Sequence, residues 1–580
     1  MTTTIIHGAD SRAGNGSKRA LYDVIVLLGI CALFGVTVYL LNAVGTPIGP
    51  SGIPSTISTN LNQLPYYAMR SVFRMMIALG FSLLFTFIYG LAAARSRILR
   101  PILIPLLDIL QSIPILGFLS ATITIWLVLF PHSMMGVEAA SIFAIFTSQA
   151  WNMTFSFYRS LQSEPTELDE AARSLRLTNW QRFWKLDVPN STIPLIWNCM
   201  MSVGGGWFFL TASEMISVNN KTYVLPGIGS FVGQAAKEEN PGKIAWAIVT
   251  MILVVVLLDI FLWKPLVAWA EKFRITQNEG AEVKTSLVLF VIRQSHLDEI
   301  LGTLLSPIGS VLDVITRPLG ITGSHWELRG GRRKAMTIVT GAIMALLLVF
   351  GLGQLITTIS RGTGFGQLGH VLGLGTITFM RVAVLLIICS LIWVPIGSLI
   401  GMNPRALHVM QPIVQILASF PANFIFPLIT MIFITFNIDN NWGCILLMAL
   451  GTQWYILFNI IAGASAIPND LKEMGKNIGM HGWLRWKTLI LPSVFGSWCT
   501  GGLTAAGGAW NASIVSEIVS YGKHTLTAKG LGAYIAQSTA TGNMPETIIG
   551  ITAMSIFVVG INLLLWNPLH RLAARRFSLN

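Results

Sequence analysis

Runs of apolar residues long enough to cross a bilayer recur from one end of this 580-residue chain to the other. A helix needs ~20 such residues to span the hydrocarbon. About twelve runs qualify. In the first half they lie near Leu21–Leu41, Arg70–Ala94, Ile113–Phe130, Val137–Phe157, Ile193–Ala212 and Ile244–Ala270. In the second half they lie near Ala335–Ile359, Thr376–Ile400, Val414–Phe436, Trp442–Ala464, Val494–Ser516 and Thr547–Trp566. The runs are continuous rather than alternating and exceed barrel-strand length, so strands are not expected. Only 11% of residues are charged, against roughly 25% in soluble proteins. The expected fold is an all-α polytopic membrane protein.

The first run follows Arg12, Lys18 and Arg19. It is longer than a signal-peptide core and no small-residue cleavage site follows, which makes it an uncleaved span. The net charge of +13 would suggest nucleic acid in a soluble chain. Alternating the sides span by span instead gathers 29 of the 38 basic residues on one side. The other nine are Arg70, Arg74, Lys221, Lys237, Lys243, Arg361, Arg381, Lys523 and Lys529. Under the positive-inside rule both termini are cytoplasmic, and no nucleic-acid partner is needed. The five cysteines (Cys31, Cys199, Cys389, Cys444, Cys499) have no metal-ligand or disulfide spacing and read as small apolar packers.

The halves repeat. A shift of 303 residues superimposes Glu170 on Glu473, Pro189 on Pro492, Trp207 on Trp510, Glu214 on Glu517, Gly227 on Gly530, and Trp263 and Pro265 on Trp566 and Pro568. Nearer each N-terminus the shift is 307, matching Arg74 with Arg381 and Ser112-x-Pro114 with Ser419-x-Pro421. Six spans per copy give two parallel repeats related by an axis along the membrane normal, a geometry some transporters use. The expected division is a cytoplasmic tail (1–20), a first repeat (21–274), a cytoplasmic connector (275–334) with an amphipathic stretch near Leu287–Ile292, and a second repeat (335–580).

The loop between spans four and five is the most informative segment. In the first repeat it reads Glu170-Ala171-Ala172, then Arg176, then Leu186-Asp187-Val188-Pro189; in the second, Glu473-Met474-Gly475, then Gly479, then Leu489-Ile490-Leu491-Pro492. Acidic residues here suit the first turn of a short helix, and the prolines suit the start of span five. This resembles the Glu-Ala-Ala signature of ATP-binding-cassette importer permeases. The resemblance implies a helix that seats in a groove of an ATPase subunit through Glu170, Ala171, Ala172 and Pro189, and again through Glu473, Gly479 and Pro492. Each repeat departs from the pattern where the other keeps it: Arg176 replaces the glycine in the first, Met474-Gly475 the alanines in the second. Unequal engagement of the two helices follows.

The run Asp108-x-Leu110-Gln111-Ser112-Ile113-Pro114 resembles permeases of the nitrate, sulfonate, taurine and bicarbonate type. So does Trp207 followed by Ser213-Glu214 and Pro226-Gly227-Ile228-Gly229, although Val218–Leu225 is longer than the family's loop. The second repeat keeps Ser419-x-Pro421 with Gln415 in place of Asp108. The resemblance implies that Asp108, Gln111, Ser112, Pro114, Ser419, Pro421, Trp207, Glu214, Trp510 and Glu517 border the translocation path. Glu214 lies 25 residues past Pro189, or ~37 Å at helical rise, near the outer face. Two readings stand for Glu214 and Glu517: a paired gate lining an outer vestibule, or carboxylates tied to neighbouring N–H groups. Arg74 and Arg381 either supply an attractive field or snorkel to the interface. Asp259, matched by Asn562, reads as a structural hydrogen bond, and the glycines at 204–206 and 507–508 as close helix packing.

No phosphate-binding Gly-x-x-x-x-Gly-Lys-[Ser/Thr] loop is present. Nothing calls for a metal or cofactor, and no catalytic constellation emerges. The expected complex pairs this chain with two ATP-binding domains and an extracytoplasmic solute-binding protein, in a bacterial inner membrane, carrying a small anion. A fused iron(III)-type permease shares the duplication but not the Asp-x-Leu-Gln-Ser-Ile-Pro run. An ion-gradient transporter would leave the twin loops without a purpose.

Overall fold

The computed structural model describes residues 16–44, 56–96, 99–112, 115–131, 133–218, 221–273, 286–295, scattered positions between 303 and 360, and 365–577. Among these, eight helices are long and apolar enough to cross a membrane: Tyr22–Asn42, Leu61–Arg95, Asn179–Glu214, Pro241–Phe273, Leu368–Met402, Asn440–Ser465, Gly482–Ser516 and Met544–Arg576. The expected span at Ala335–Ile359 lies mostly outside the described residues, as do the N-terminal tail and most of the connector.

In the first repeat the helices are α1 (Gly16–Val44), α2 (Leu64–Arg95), α3 (Arg100–Ser112), α4 (Ile115–Leu129), α5 (Met135–Gln162), α6 (Thr166–Ser174), α7 (Asn179–Arg182), α8 (Val188–Glu214), α9 (Ile228–Lys237), α10 (Pro241–Leu258) and α11 (Lys264–Ala270). The short α12 (Leu287–Gln294) lies in the connector, where helix was expected. The second repeat contributes α13 (Leu368–Met402), α14 (Pro404–Ser419), α15 (Phe426–Thr435), α16 (Asn440–Ser465), α17 (Asn469–Asn477), α18 (Gly482–Arg485), α19 (Leu491–Ser516), α20 (Leu531–Thr541), α21 (Met544–Ile561) and α22 (Asn567–Arg576).

Three features depart from the expected spans. The expected third span of the second repeat, Val414–Phe436, is not one helix: α14 gives way to α15 around Ser419-x-Pro421, while residues 113 and 114 of the matching motif lie outside the described residues. Proline disfavours helical backbone in the residue before it, so the motif marks a break. Strands are present after all. The hairpins β1–β2 (Met215–Val218, Lys221–Val224) and β3–β4 (Ile518–Tyr521, His524–Thr527) follow span five in each repeat. Thirdly, spans five and six contain π-turns at Phe183–Asp187, Asp259–Trp263, Trp486–Ile490 and Asn562–Trp566. Each π-turn ends two residues before a proline: Pro189, Pro265, Pro492 and Pro568. A proline has no N–H for the carbonyl four residues back and collides with it, and one wider turn relieves both defects.

The chain divides into two compact units. One gathers Met1–Val44, Ser156–Asn198 and Leu257–Glu327; within it Tyr22 meets Phe290 edge to face at 6.1 Å. The other gathers Gly45–Phe155, Cys199–Val256 and Leu328–Asn580. Its core runs through Leu385, Met448, Ile456, Ala505 and Trp510, all buried. Small residues bring its helices together: a β-carbon at Gly501 would stand 2.9 Å from the Tyr455 carbonyl oxygen, and one at Gly401 2.5 Å from that of Ile461. Four of the five cysteines are buried, and Cys31 is exposed.

Candidate functional site

Two kinds of site recur in both repeats: a buried carboxylate clasp where span five meets its hairpin, and a short exposed helix at the opposite end of span five.

Glu214 closes α8 and is 0% exposed. Its Oε1 accepts from the Ser71 hydroxyl at 2.5 Å and from Arg74 Nη1 at 2.7 Å, and its Oε2 from the Gly229 N–H at 2.7 Å. Ser71 Oγ in turn accepts the Ile228 N–H at 3.1 Å. Ile228 and Gly229 open α9, whose N-cap, Gly227, has no side chain to cap with. The carboxylate thus supplies the negative charge and the acceptors that a helix N-terminus needs. The second repeat builds the same clasp. Glu517, also 0% exposed, accepts from Thr378 at 2.8 Å, Arg381 at 3.0 Å and the Ala533 N–H at 2.9 Å, while Thr378 accepts the Leu531 N–H at 2.9 Å. Each hairpin closes on the same glutamate, with the Leu225 and Ala528 N–H groups donating to the Glu214 and Glu517 carbonyls at 2.8 Å.

The Gly-x-Gly sequence shared by the two repeats follows from this geometry. A β-carbon at Gly227 or Gly530 would lie 2.2–2.3 Å from the glutamate's carboxylate, and one at Gly229 or Gly532 would collide with the backbone of span five. The N-cap glycines are extended, at φ −176° and −174°, so space rather than backbone conformation requires glycine.

Neither glutamate faces open space in this conformation, and neither arginine snorkels: Arg74 is 1% and Arg381 7% exposed. The arginines reach further partners instead. Arg74 Nε donates to Glu138 at 2.5 Å, its Nη2 to Glu138 and to the Pro226 carbonyl, each at 2.8 Å, and Arg70 also pairs with Glu138. In the second repeat Arg381 donates to the Asn441 carbonyl at 3.0 Å and to its side chain at 2.8 Å. Asn441 stands 303 residues after Glu138, and Ile377 stands 307 after Arg70. The first repeat carries one extra buried cation and one extra buried anion, and the charges balance in both.

The third-span segments meet span five of the other repeat. Asn511 on α19 accepts the Ile115 N–H of α4, at 2.9 Å. Reciprocally, Asn423, beside the break in the second repeat, donates to the Phe208 carbonyl at 3.0 Å and to Thr211, both on α8. Ser419 packs on Gly204, whose β-carbon would sit 3.4 Å from Ser419 Cα and Oγ, the close approach expected of this glycine run. Gln111 is exposed; Asp108 and Ser112 lie on α3, Pro421 is buried, and Pro114 lies outside the described residues. The indoles of Trp207 and Trp510 are 1% and 2% exposed, and Trp510 stacks on Phe557 with centroids 5.7 Å apart. They belong to helix packing. Asp259 pairs with Lys264 at 3.1 Å.

The opposite end of span five carries the short helices α6 and α17. Glu170 and Ala171 are exposed and Ala172 buried on α6; Glu473 and Met474 are exposed and Gly475 buried on α17. Both helices end in a Schellman motif: Leu177 N–H donates to the Ala172 carbonyl and Arg176 N–H to Arg173, matched by Met480 to Gly475 and Gly479 to Lys476. The motif needs a left-handed residue, and Arg176 (φ 49°) and Gly479 (φ 69°) occupy that place. From here Pro189 and Pro492 follow the π-turns into α8 and α19, so each exposed helix runs on into a span after one tight turn. Beneath α6, Arg182 joins Asp169 at 2.5 Å, Glu164 at 3.1 Å and Asp187 at 3.6 Å. Burial pushes the Asp169 carboxyl up, but the hydrogen bond and charge of Arg182, with help from Arg173, outweigh it and hold the group below the usual range.

Ser71, Thr378, Arg70, Glu138, Asn441, Asn423, Asn511 and Arg182 were not expected as site residues. A signal existed for two of them: a hydroxyl residue stands three positions before each paired arginine, Ser71 before Arg74 and Thr378 before Arg381.

The family model for the inner membrane component of binding-protein-dependent transport systems matches this chain twice, over residues 83–262 and 393–578. Among curated relatives, the nitrate import permease protein NrtB of Leptolyngbya laminosa is 25% identical over 171 residues, 29% of this chain and 56% of that protein. The bicarbonate transport system permease protein CmpB of Synechococcus elongatus is 25% identical over 199 residues, 34% of this chain and 65% of the relative. The taurine transport system permease protein TauC of Escherichia coli is 25% identical over 189 residues, 32% and 63%. The chain thus spans between half and two thirds of the length of these relatives. With two matches that together cover more than half of its residues, the chain belongs to the inner membrane components of binding-protein-dependent transport systems and carries that module twice.

Proposed function

We propose that this chain forms the whole membrane pathway of an importer for a small anion of the nitrate, bicarbonate or sulfonate class, driven by ATP hydrolysis in a separate subunit. In this reading α6 and α17 face the cytoplasm and dock on two ATP-binding domains, and the clasp end faces a solute-binding protein outside. The carrying observation is the pair of exposed helices with identical Schellman ends, each joined through a π-turn to span five. A push on such a helix moves the span as a lever, and the clasped hairpin at the far end moves with it. The buried Arg74–Glu214 and Arg381–Glu517 pairs stiffen that end; breaking a buried pair typically costs about 3–5 kcal/mol.

Reconstitution tests the reading. Proteoliposomes holding this chain, its ATP-binding subunit and the binding protein should accumulate labelled nitrate, bicarbonate or taurine only with ATP inside the coupled compartment. Accumulation by the chain alone, or ATP turnover unaffected by the binding protein, would overturn it.

A further inference from the structure

The two docking helices present different chemistry, and their differences fall into one pattern. Around α6 two large apolar side chains are strongly exposed, Leu175 (72%) and Trp184 (50%). Around α17 there are four: Met474 (50%), Ile478 (61%), Trp483 (73%) and Leu484 (55%). Met474 and Leu484 replace Ala171 and Gln181 of the first repeat. The undersides differ too. Arg182 holds α6 through three carboxylates, whereas the matching positions in the second repeat are Ile467, Lys472 and Ile490. There the ionic cluster gives way to an open cavity of about 260 Å³, bounded by Met474, Gly475, Met480, Leu489, Arg576 and Phe577.

This cavity is smaller than the ~300–1,000 Å³ of pockets that take drug-sized ligands; it has the scale of one side chain. A lipid chain is the wrong occupant: Arg576 is part of the wall, and the exposed Glu473, Lys476 and Lys487 directly adjoin the wall residues Met474, Gly475 and Thr488 in the chain. Building on the ATPase-docking reading above, we propose that the second docking helix is the apolar anchor of the ATP-binding subunit. Met474 and Ile478 enter that subunit's groove, and one of its bulky apolar side chains fills the cavity behind Gly475. The first helix contributes a charged, ionically stiffened contact that sets register more than affinity. Anchors of this kind, buried apolar side chains within a ring of polar ones, carry most of the energy of protein interfaces.

The test measures affinity of the ATP-binding subunit that co-purifies with the chain from its host, once separated from it, for the chain in nanodiscs, at 50 and 500 mM salt. Met474→Ser with Ile478→Ser, and separately Gly475→Leu to fill the cavity, should each weaken binding at least tenfold at both salts. Leu175→Ser with Glu170→Gln should weaken it far less, and mainly at low salt. All replaced side chains except Gly475 are exposed, and an unchanged thermal midpoint of the free chain verifies folding. Equal losses from the two helices, or a larger loss from the first, overturn the proposal. Absence of binding by the unmodified chain would instead overturn the ATPase-docking reading itself.

Discussion

Gly227 lies against Glu214 so closely that a single methyl group on it would stand 2.2 Å from the carboxylate carbon. The contact joins the end of span five to the start of α9, and Gly530 repeats it on Glu517, whose Oε2 would stand 2.3 Å from such a methyl group. Gly227→Ala must therefore push the carboxylate off the Gly229 N–H and Arg74. Overpacking of this kind costs about 1–3 kcal/mol, and loss of the cap adds about 1 kcal/mol. The expected result is a lower thermal midpoint in detergent and faster hydrogen exchange across 228–237. Unchanged exchange there would show that the clasp is not what holds α9.

Arg70 and Glu138 occur together in the first repeat and are replaced together, by Ile377 and Asn441, in the second. Glu138→Asn alone leaves Arg70 buried without its anion, and should destabilise by about 3–5 kcal/mol. Arg70→Ile with Glu138→Asn rebuilds the second repeat's arrangement, in which one arginine serves one glutamate and an asparagine. The double variant should recover most of the loss, with a coupling energy in the range of about 0.5–3 kcal/mol seen for contacting residues. Additive losses in thermal unfolding would contradict a shared network.

The parts of this architecture that were legible in the sequence are those fixed by length and by local chemistry. Continuous apolar runs announced most of the spans, and the 303-residue register reappears in the bounds of α6 and α17, of both hairpins and of all four π-turns. What escaped notice depends on pairs far apart in the chain. Glu138 sat unremarked in a predicted span, because its meaning lies in Arg70 and Arg74, a helix away. The break at Ser419-x-Pro421 leaves no mark in the hydropathy, since apolar composition continues through it. The π-turns were likewise hidden, although the prolines that require them had been matched between the repeats. The hairpins are four-residue strands whose only advance sign was a loop longer than expected.

Acid should loosen α6 and spare α17. Asp169 is held below the ordinary carboxyl range chiefly because Arg182 outweighs the cost of its burial. A depressed folded-state value means that the interaction is fully present above the unfolded value, about 3.9, and is lost as pH falls through the folded value. The stability advantage of the native protein over Asp169→Asn, read from exchange protection of 166–174 after correction for intrinsic rates, should be constant from neutral pH to about pH 5. It should then shrink below about pH 4. The same comparison at Lys472, which occupies the matching position in α17, should show no acid dependence. An advantage that grew with acidification would reverse the sign and dismiss the ion pair as the cause.

Arg176 and Gly479 hold the same left-handed place at the ends of α6 and α17. Glycine enters that region freely, whereas an L-residue with a β-carbon gives up roughly 1–2 kcal/mol. Gly479→Ala should therefore cost about 1 kcal/mol and open α17 more often, visible as faster exchange at 469–477. Arg176→Gly should relieve comparable strain in α6, but glycine's extra freedom in the unfolded chain takes back about 0.4–1 kcal/mol. The same offset already reduces the cost of Gly479→Ala, so the net gain at 166–174 should be comparable in size to the loss at α17, about 1 kcal/mol. A large stabilisation from Arg176→Gly would mean that the arginine carries more strain than its φ of 49° implies. A clear destabilisation would mean that the Arg176 side chain itself secures the helix end.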